Sequence, residues 1–101
     1  MKSEEIKHYY KNNEIDLESI IEDFTPYISR IIDNMAKESI NEEDKEEVIS
    51  DVFFILWNKR MKLDKDKLLS SYLAGITRNV VKEYFRKTKI DFDISNFENS
   101  L

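Results

Sequence analysis

Apolar residues recur at three- and four-residue steps in three long stretches of this chain, the spacing of amphipathic helices rather than of strands. Leu17, Ile20, Ile21, Phe24, Tyr27, Ile28, Ile31, Ile32 and Met35 form the first stripe and, with Asp16 as cap, predict a helix over residues 16–36. Thr25-Pro26 interrupts it, as the start of a second helix or as a kink in one long helix. The stripe stays in phase across the pair, which favours the kink. After a polar connection, Lys37–Glu43, either Asn41 or Asp44 can cap a helix over 44–60 that buries Val48, Ile49, Val52, Phe53, Leu56 and Trp57. A third helix, over 67–87, gathers Leu69, Tyr72, Leu73, Ile76, Val80 and Tyr84 into one arc. Before Asp16 the chain is polar, with Ile6, Tyr9 and Tyr10 as anchors of a short helix. No stripe can be satisfied by its own helix. The expected fold is therefore all-α: a compact bundle of three longer helices plus a short N-terminal one.

The opposite faces differ from one another. On the third helix Ser71, Gly75, Arg78, Asn79, Lys82 and Arg86 fall together, a basic face with hydrogen-bonding groups and a glycine in its middle. A mid-helix glycine costs roughly 1 kcal/mol against alanine. Close approach of another backbone or of a phosphate would repay that cost; a solvated face with an incidental glycine is the alternative. Glu83 falls inside the apolar arc and calls for a partner across the core. On the second helix Glu47, Asp51, Phe54 and Asn58 share the outer side. A phenylalanine among acids breaks the binary pattern. It is either a lone exposed apolar residue or the aromatic anchor of a docking face inside a charged rim.

Composition adds constraints. The 101 residues make one domain, and a single Gly and a single Pro leave little material for hairpins. There is no Cys, which excludes disulfides and thiolate metal sites and suits a reducing, cytoplasmic setting. The longest apolar run, Val52–Trp57, is far too short to span a bilayer. Net charge is −5, but residues 59–89 hold ten Lys/Arg against three acids. The basic and acidic parts of the chain thus suit different partners. His8, the one histidine, has no companion for a metal site, and Asp64-Lys65-Asp66 lacks the rest of a calcium loop. No phosphate loop, nucleophile elbow or zinc signature is present. The acids Glu42, Glu43, Asp44, Glu46, Glu47 and Asp51 have no convergent base or nucleophile beside them. The chain does not read as an enzyme, and nothing calls for a cofactor or a metal.

Two segments taken together carry a resemblance. Glu47–Trp57, EVISDVFFILW, is similar to an acid-x-x-Gln-acid-x-Phe pattern ending in an aromatic, here Glu47, Ser50, Asp51, Phe53 and Trp57. Leu69–Lys87 is similar to an aromatic-Leu pair followed by Ile, Asn and Tyr before a basic end, here Tyr72, Leu73, Ile76, Asn79, Tyr84 and Arg86-Lys87. Preceded by the helix that contains DFTPYISRII, they resemble region 2 of bacterial sigma factors of the extracytoplasmic-function kind or a clostridial-type relative. The resemblance runs from about Leu17 to Lys87. Ser50 stands where the family uses Gln, Tyr72 where Trp is common, and Ala74-Gly75 where a bulky-basic pair is usual.

The resemblance implies a transcription initiation factor domain with two working faces. Glu47, Ser50, Asp51, Phe54 and Asn58 would dock on the β′ clamp helices of RNA polymerase core. Ser71, Tyr72, Arg78, Asn79, Lys82 and Arg86 would track the non-template single strand of the melted −10 promoter element, with Asn79 on bases and the cations on phosphates. The preceding loop, Met61–Leu68 with Lys65 and Lys67, would hold a flipped base. An anti-sigma factor covering the docking face is an expectation from the family alone, and no membrane partner is implied. Residues 1–89 would form the region 2-like domain and 90–101 an acidic tail or the start of an interdomain linker, in a protein that continues into a −35-binding domain. The alternatives are an acidic helical interaction module without DNA binding and, last, a stand-alone duplex-DNA binder, for which no turn and recognition helix stand out.

Overall fold

The structure, a computed structural model, describes residues 4–100, with side chains described for residues 4–88. A 3-10 turn, Ile6–Tyr9, leads into a two-stranded hairpin of β1 (Tyr10–Lys11) and β2 (Glu14–Ile15). Three helices follow: α1 (Leu17–Ala36), α2 (Glu42–Asn58) and α3 (Leu69–Ser100). Short 3-10 turns at Lys37–Ser39 and Arg60–Lys62 join them.

Local chemistry sets each start. Asp16 caps α1, its carboxylate accepting from the Ser19 hydroxyl at 2.7 Å and the Ser19 N–H at 3.3 Å. Those two bonds, the hydroxyl's first, hold the Asp16 carboxyl below its ordinary pKa. α1 runs through Pro26 as one helix, and the Thr25 hydroxyl donates to the Ile21 carbonyl at 2.6 Å. Asn41 is the cap of α2, accepting from the Asp44 N–H at 2.7 Å, and Glu42, Glu43 and Asp44 complement the positive end of the helix dipole. The Lys45 ammonium reaches Asp33 at 2.9 Å and ties the start of α2 to the end of α1.

The core is one cluster, with Phe24 fully buried in it and flanked edge-on by Tyr9 and Tyr27 at 5.7 and 6.1 Å between ring centres. α1 supplies Ile20, Ile28, Ile32 and Ala36, α2 supplies Val48, Val52, Phe53 and Leu56, and α3 supplies Leu69, Leu73, Ile76 and Val81. Ile49 and Val80, expected in the core, are half-buried against it. Each helix packs on the other two.

Several expectations need correction. Residues 10–15 form a hairpin, not the continuation of a short helix. Asn12 and Asn13 take positive φ of 54° and 65°, the backbone of a tight two-residue turn that Asn tolerates. The buried arc of α3 is wider than one stripe and rotated from the expected one, because α1 and α2 cover it from two sides. Ser70, Ala74, Thr77 and Val81 are buried, while Tyr72 and Tyr84 are only half-buried. The Thr77 hydroxyl is satisfied by donating to the Leu73 carbonyl at 2.7 Å. Trp57 is 39% exposed, with the Arg60 guanidinium 3.9 Å over its ring. Among the described residues Glu83 has no partner across the core; it lies exposed and pairs with Arg86 at 2.7 Å one turn along its own helix. The backbone of α3 does not stop near residue 87 but continues to Ser100, through a stretch with neither Gly nor Pro to break it. The side chains of the acidic stretch 90–101 lie outside the described residues.

Candidate functional site

The outer face of α3 and the connection from α2 enclose a shallow concavity of about 630 Å³ lined by Lys59, Lys67, Leu68, Ser71, Tyr72, Gly75, Ile76 and Asn79. Four of the expected DNA contacts, Lys67, Ser71, Tyr72 and Asn79, therefore meet in one place. Helical geometry brings Ser71, Tyr72, Gly75 and Asn79 together, since residues three and four apart are neighbours. The connection adds Lys67, and the end of α2 is capped by Lys59, whose N–H donates to the Ile55 and Leu56 carbonyls at 3.0 and 3.2 Å. Lys59 and Leu68 were not singled out from the sequence. Leu68 lies three and four residues before Ser71 and Tyr72, so helix spacing reaches it, whereas Lys59 is brought to α3 only by the return of the connection.

The concavity offers distinct chemistries. Lys59 and Lys67 are cations on its wall, Ser71 and Asn79 are polar and uncharged, and Tyr72 presents a half-buried ring. Burial raises the Tyr72 phenol pKa above its ordinary value, so the ring is neutral at physiological pH. A methyl group built on Gly75 would meet nothing within 4 Å. The protein itself does not need glycine there, and the space over it is open.

The other expected contacts fall elsewhere. Arg78 and Lys82 are exposed on α3 outside the lining of the concavity. Arg78 lies about 100° round the helix from Asn79. Arg86 is held by Glu83 and lines a different groove, between α2 and α3. The Lys65 ammonium sits 4.5 Å over the ring of Tyr10, drawn to the hairpin.

On α2, Glu47, Ser50, Asp51, Phe54 and Asn58 are all exposed. Phe54 is 64% exposed and stands on a ridge between two grooves. The one shared with α3, about 710 Å³, carries Asp44, Glu47 and Asp51 on one wall and Arg86 and Lys87 on the other. The one shared with α1, about 420 Å³, is apolar, with Ile21, Ile49, Phe53 and Trp57. Across the first groove the Tyr84 hydroxyl donates to Asp44 at 2.7 Å, and that bond is the main cause of a raised Tyr84 pKa. Among the described residues no group of three His, Cys, Asp or Glu could hold a metal ion, and no helix is long and apolar enough to cross a membrane.

An acidic ridge bearing an aromatic and a basic trough bearing an amide and a ring are thus set on adjacent helices. The model of the Sigma-70 region 2 family matches residues 20–90, most of α1, all of α2 and α3 as far as residue 90. The chain belongs to the sigma-70 region 2 family. Region 2 is the part of sigma factors that binds RNA polymerase core and melts the −10 element; it is a transcription initiation factor domain and not an enzyme. The hairpin and the 3-10 turn before α1 lie outside the matched residues. The chain has no match among curated proteins and none among solved structures.

Proposed function

We propose that this region 2 domain docks on the β′ clamp helices of RNA polymerase through the α2 ridge and holds the non-template strand of a particular −10 sequence in the α3 trough. The single observation that carries strand recognition is the joint lining of the trough by Lys59, Lys67, Ser71, Tyr72 and Asn79 over an unobstructed Gly75. A single strand needs cations beside its phosphates, a flat ring for a base and a polar group for a base edge. The trough has all three. Asn79 can both donate to and accept from a base edge. Lys59 and Lys67, as compact cations, suit phosphates, which carry no sequence. Arg78, Lys82 and Arg86 add attraction to the flanking backbone, Arg86 while paired with Glu83. Docking rests on Glu47, Ser50, Asp51, Phe54 and Asn58. On the resemblance of its motifs we read the domain as one of extracytoplasmic-function or clostridial-type sigma factors, acting in the cytoplasm, where an anti-sigma factor would compete for the α2 ridge.

The test separates base reading from charge. Asn79→Ala should weaken binding of the preferred −10 strand by about 1–3 kcal/mol and leave a scrambled strand almost unchanged. Lys67→Ala should weaken both strands alike and flatten the salt dependence. Binding is measured at two salt concentrations with core enzyme present. Equal loss of both strands in Asn79→Ala, or loss of neither, would reduce the trough to an electrostatic rail.

A further inference from the structure

The extreme N-terminal segment lies against the connection that walls the trough. The Ile6 N–H donates to the Lys67 carbonyl at 2.8 Å, the Lys7 N–H to the Lys65 carbonyl at 3.0 Å, and the Leu69 N–H to the Glu4 carbonyl at 2.9 Å. Glu5 and Leu68 pair as an antiparallel bridge. Side chains reinforce the backbone: Lys7 reaches Asp66 at 3.2 Å and Glu5 at 3.4 Å, Lys65 covers Tyr10, and Ile6 is fully buried. The connection 64–68 has little of its own to hold it, since Lys67 N–H to Asp64 carbonyl and Asp66 N–H to Asp64 carboxylate are its internal bonds among the described residues. A loop of that length closed mainly by itself would be mobile. Here it is clamped on one side by residues 4–10, which lie outside the family match.

We infer that residues Glu4–Tyr10 are a positioning strap: they set the register of residues 64–69 and so fix Lys67 and Leu68 as the wall of the strand-binding trough. The strap touches no nucleotide. It acts through the loop, by removing conformations the loop would otherwise have to give up when a strand binds. The inference rests on the trough being the strand site, but the strap itself is read without DNA.

Lys7 and Asp66 allow a charge-swap test. K7E and D66K each place like charges together, at a net change of two units in opposite directions, and the K7E/D66K pair restores attraction at the original total charge. The readouts are amide hydrogen exchange at Ile6, Lys7 and Leu69 in the 101-residue chain, and binding of a −10 single strand with core enzyme present. Each single variant should speed exchange at these amides by roughly threefold and weaken strand binding by roughly twofold to fivefold, with the double variant returning towards the starting values, as an exposed pair permits. Simple charge attraction predicts instead that D66K tightens strand binding, and that result would overturn the strap. Unchanged exchange in both single variants would overturn it too, whatever the strand does. Ile6→Val, a mild core change, should speed the same exchange, with the equally mild Ile32→Val as the control that does not. If the unaltered protein binds no strand at all, the proposed function falls, and exchange alone then decides whether the strap holds the loop.

Discussion

The outer faces of α2 and α3 are both solvent sides of amphipathic helices in one small bundle, and they are opposite in shape as well as in charge. α2 offers a ridge, with Phe54 proud of its surroundings and Glu47 and Asp51 beside it. α3 offers a trough, with no side chain at Gly75 and a ring, an amide and two cations around the gap. A protruding aromatic in a charged rim suits a protein partner that can supply a pocket. A shallow basic trough suits a polymer whose bases must lie flat and whose phosphates repel one another. The net charge of −5 averages two surfaces that should be counted apart.

The largest expected effect breaks one surface without the other. Asp51→Lys should weaken binding to core enzyme by about 2–3 kcal/mol, since it sets a cation where the ridge offers an anion. Stability should move by less than about 0.5 kcal/mol, because Asp51 is exposed. A titration against core enzyme, with a thermal melt of the domain, reads both; unaltered affinity would remove the ridge from the docking proposal.

Gly75→Ala sharpens the contrast, because its two effects should have opposite signs. The domain should gain about 1 kcal/mol, as an alanine fits the helix and meets nothing. Strand binding should fall, because the methyl group occupies the space the backbone of a strand would use. A more stable variant that binds the strand as well as before would show that nothing passes over Gly75.

The smallest effect concerns the link between the two faces. Tyr84→Phe removes the bond to Asp44 and should cost about 0.5–1 kcal/mol. The Tyr84 pKa is raised in the folded protein, so the bond's contribution is complete below the ordinary value of 10.0 and is lost as pH rises through the higher folded value. Denaturant titrations of both proteins at neutral and strongly alkaline pH should therefore differ in the first case and converge in the second.

The three helices were legible because each carries a long stripe that only a helix can gather, and because Asp16 announces the start of α1; for α2 the sequence offered Asn41 and Asp44 alike, and the structure uses Asn41. The hairpin was also legible in principle, since adjacent asparagines flanked by Tyr10-Lys11 and Glu14-Ile15 are a turn signal; its four strand residues were too short to show alternation. The arc of α3 was legible only in part: Leu69, Leu73 and Ile76 are buried as expected, but a helix covered from two sides also buries small and polar residues such as Ala74 and Thr77 that periodicity counts as neutral. The same limit applied to the trough. Ser71, Tyr72 and Asn79 follow from spacing within one helix, whereas Lys59 comes from another helix and enters only through the tertiary path of the connection. The Arg86–Glu83 pair shows the converse: a residue on the expected face, engaged by its own neighbour.

Ile6 is buried, and its neighbour Lys7 meets Asp66 across 59 positions of the chain. Ile6 and Lys7 are thus made before their partners and cannot reach them until the start of α3 has left the ribosome. At translation rates of roughly 5–20 residues per second, that leaves Ile6 and Lys7 without their partners on the connection for on the order of 3–12 seconds. The nascent chain can form α1 and α2 in that interval, but the core stays open at one end, and its closure is timed by synthesis rather than by the speed of helix formation.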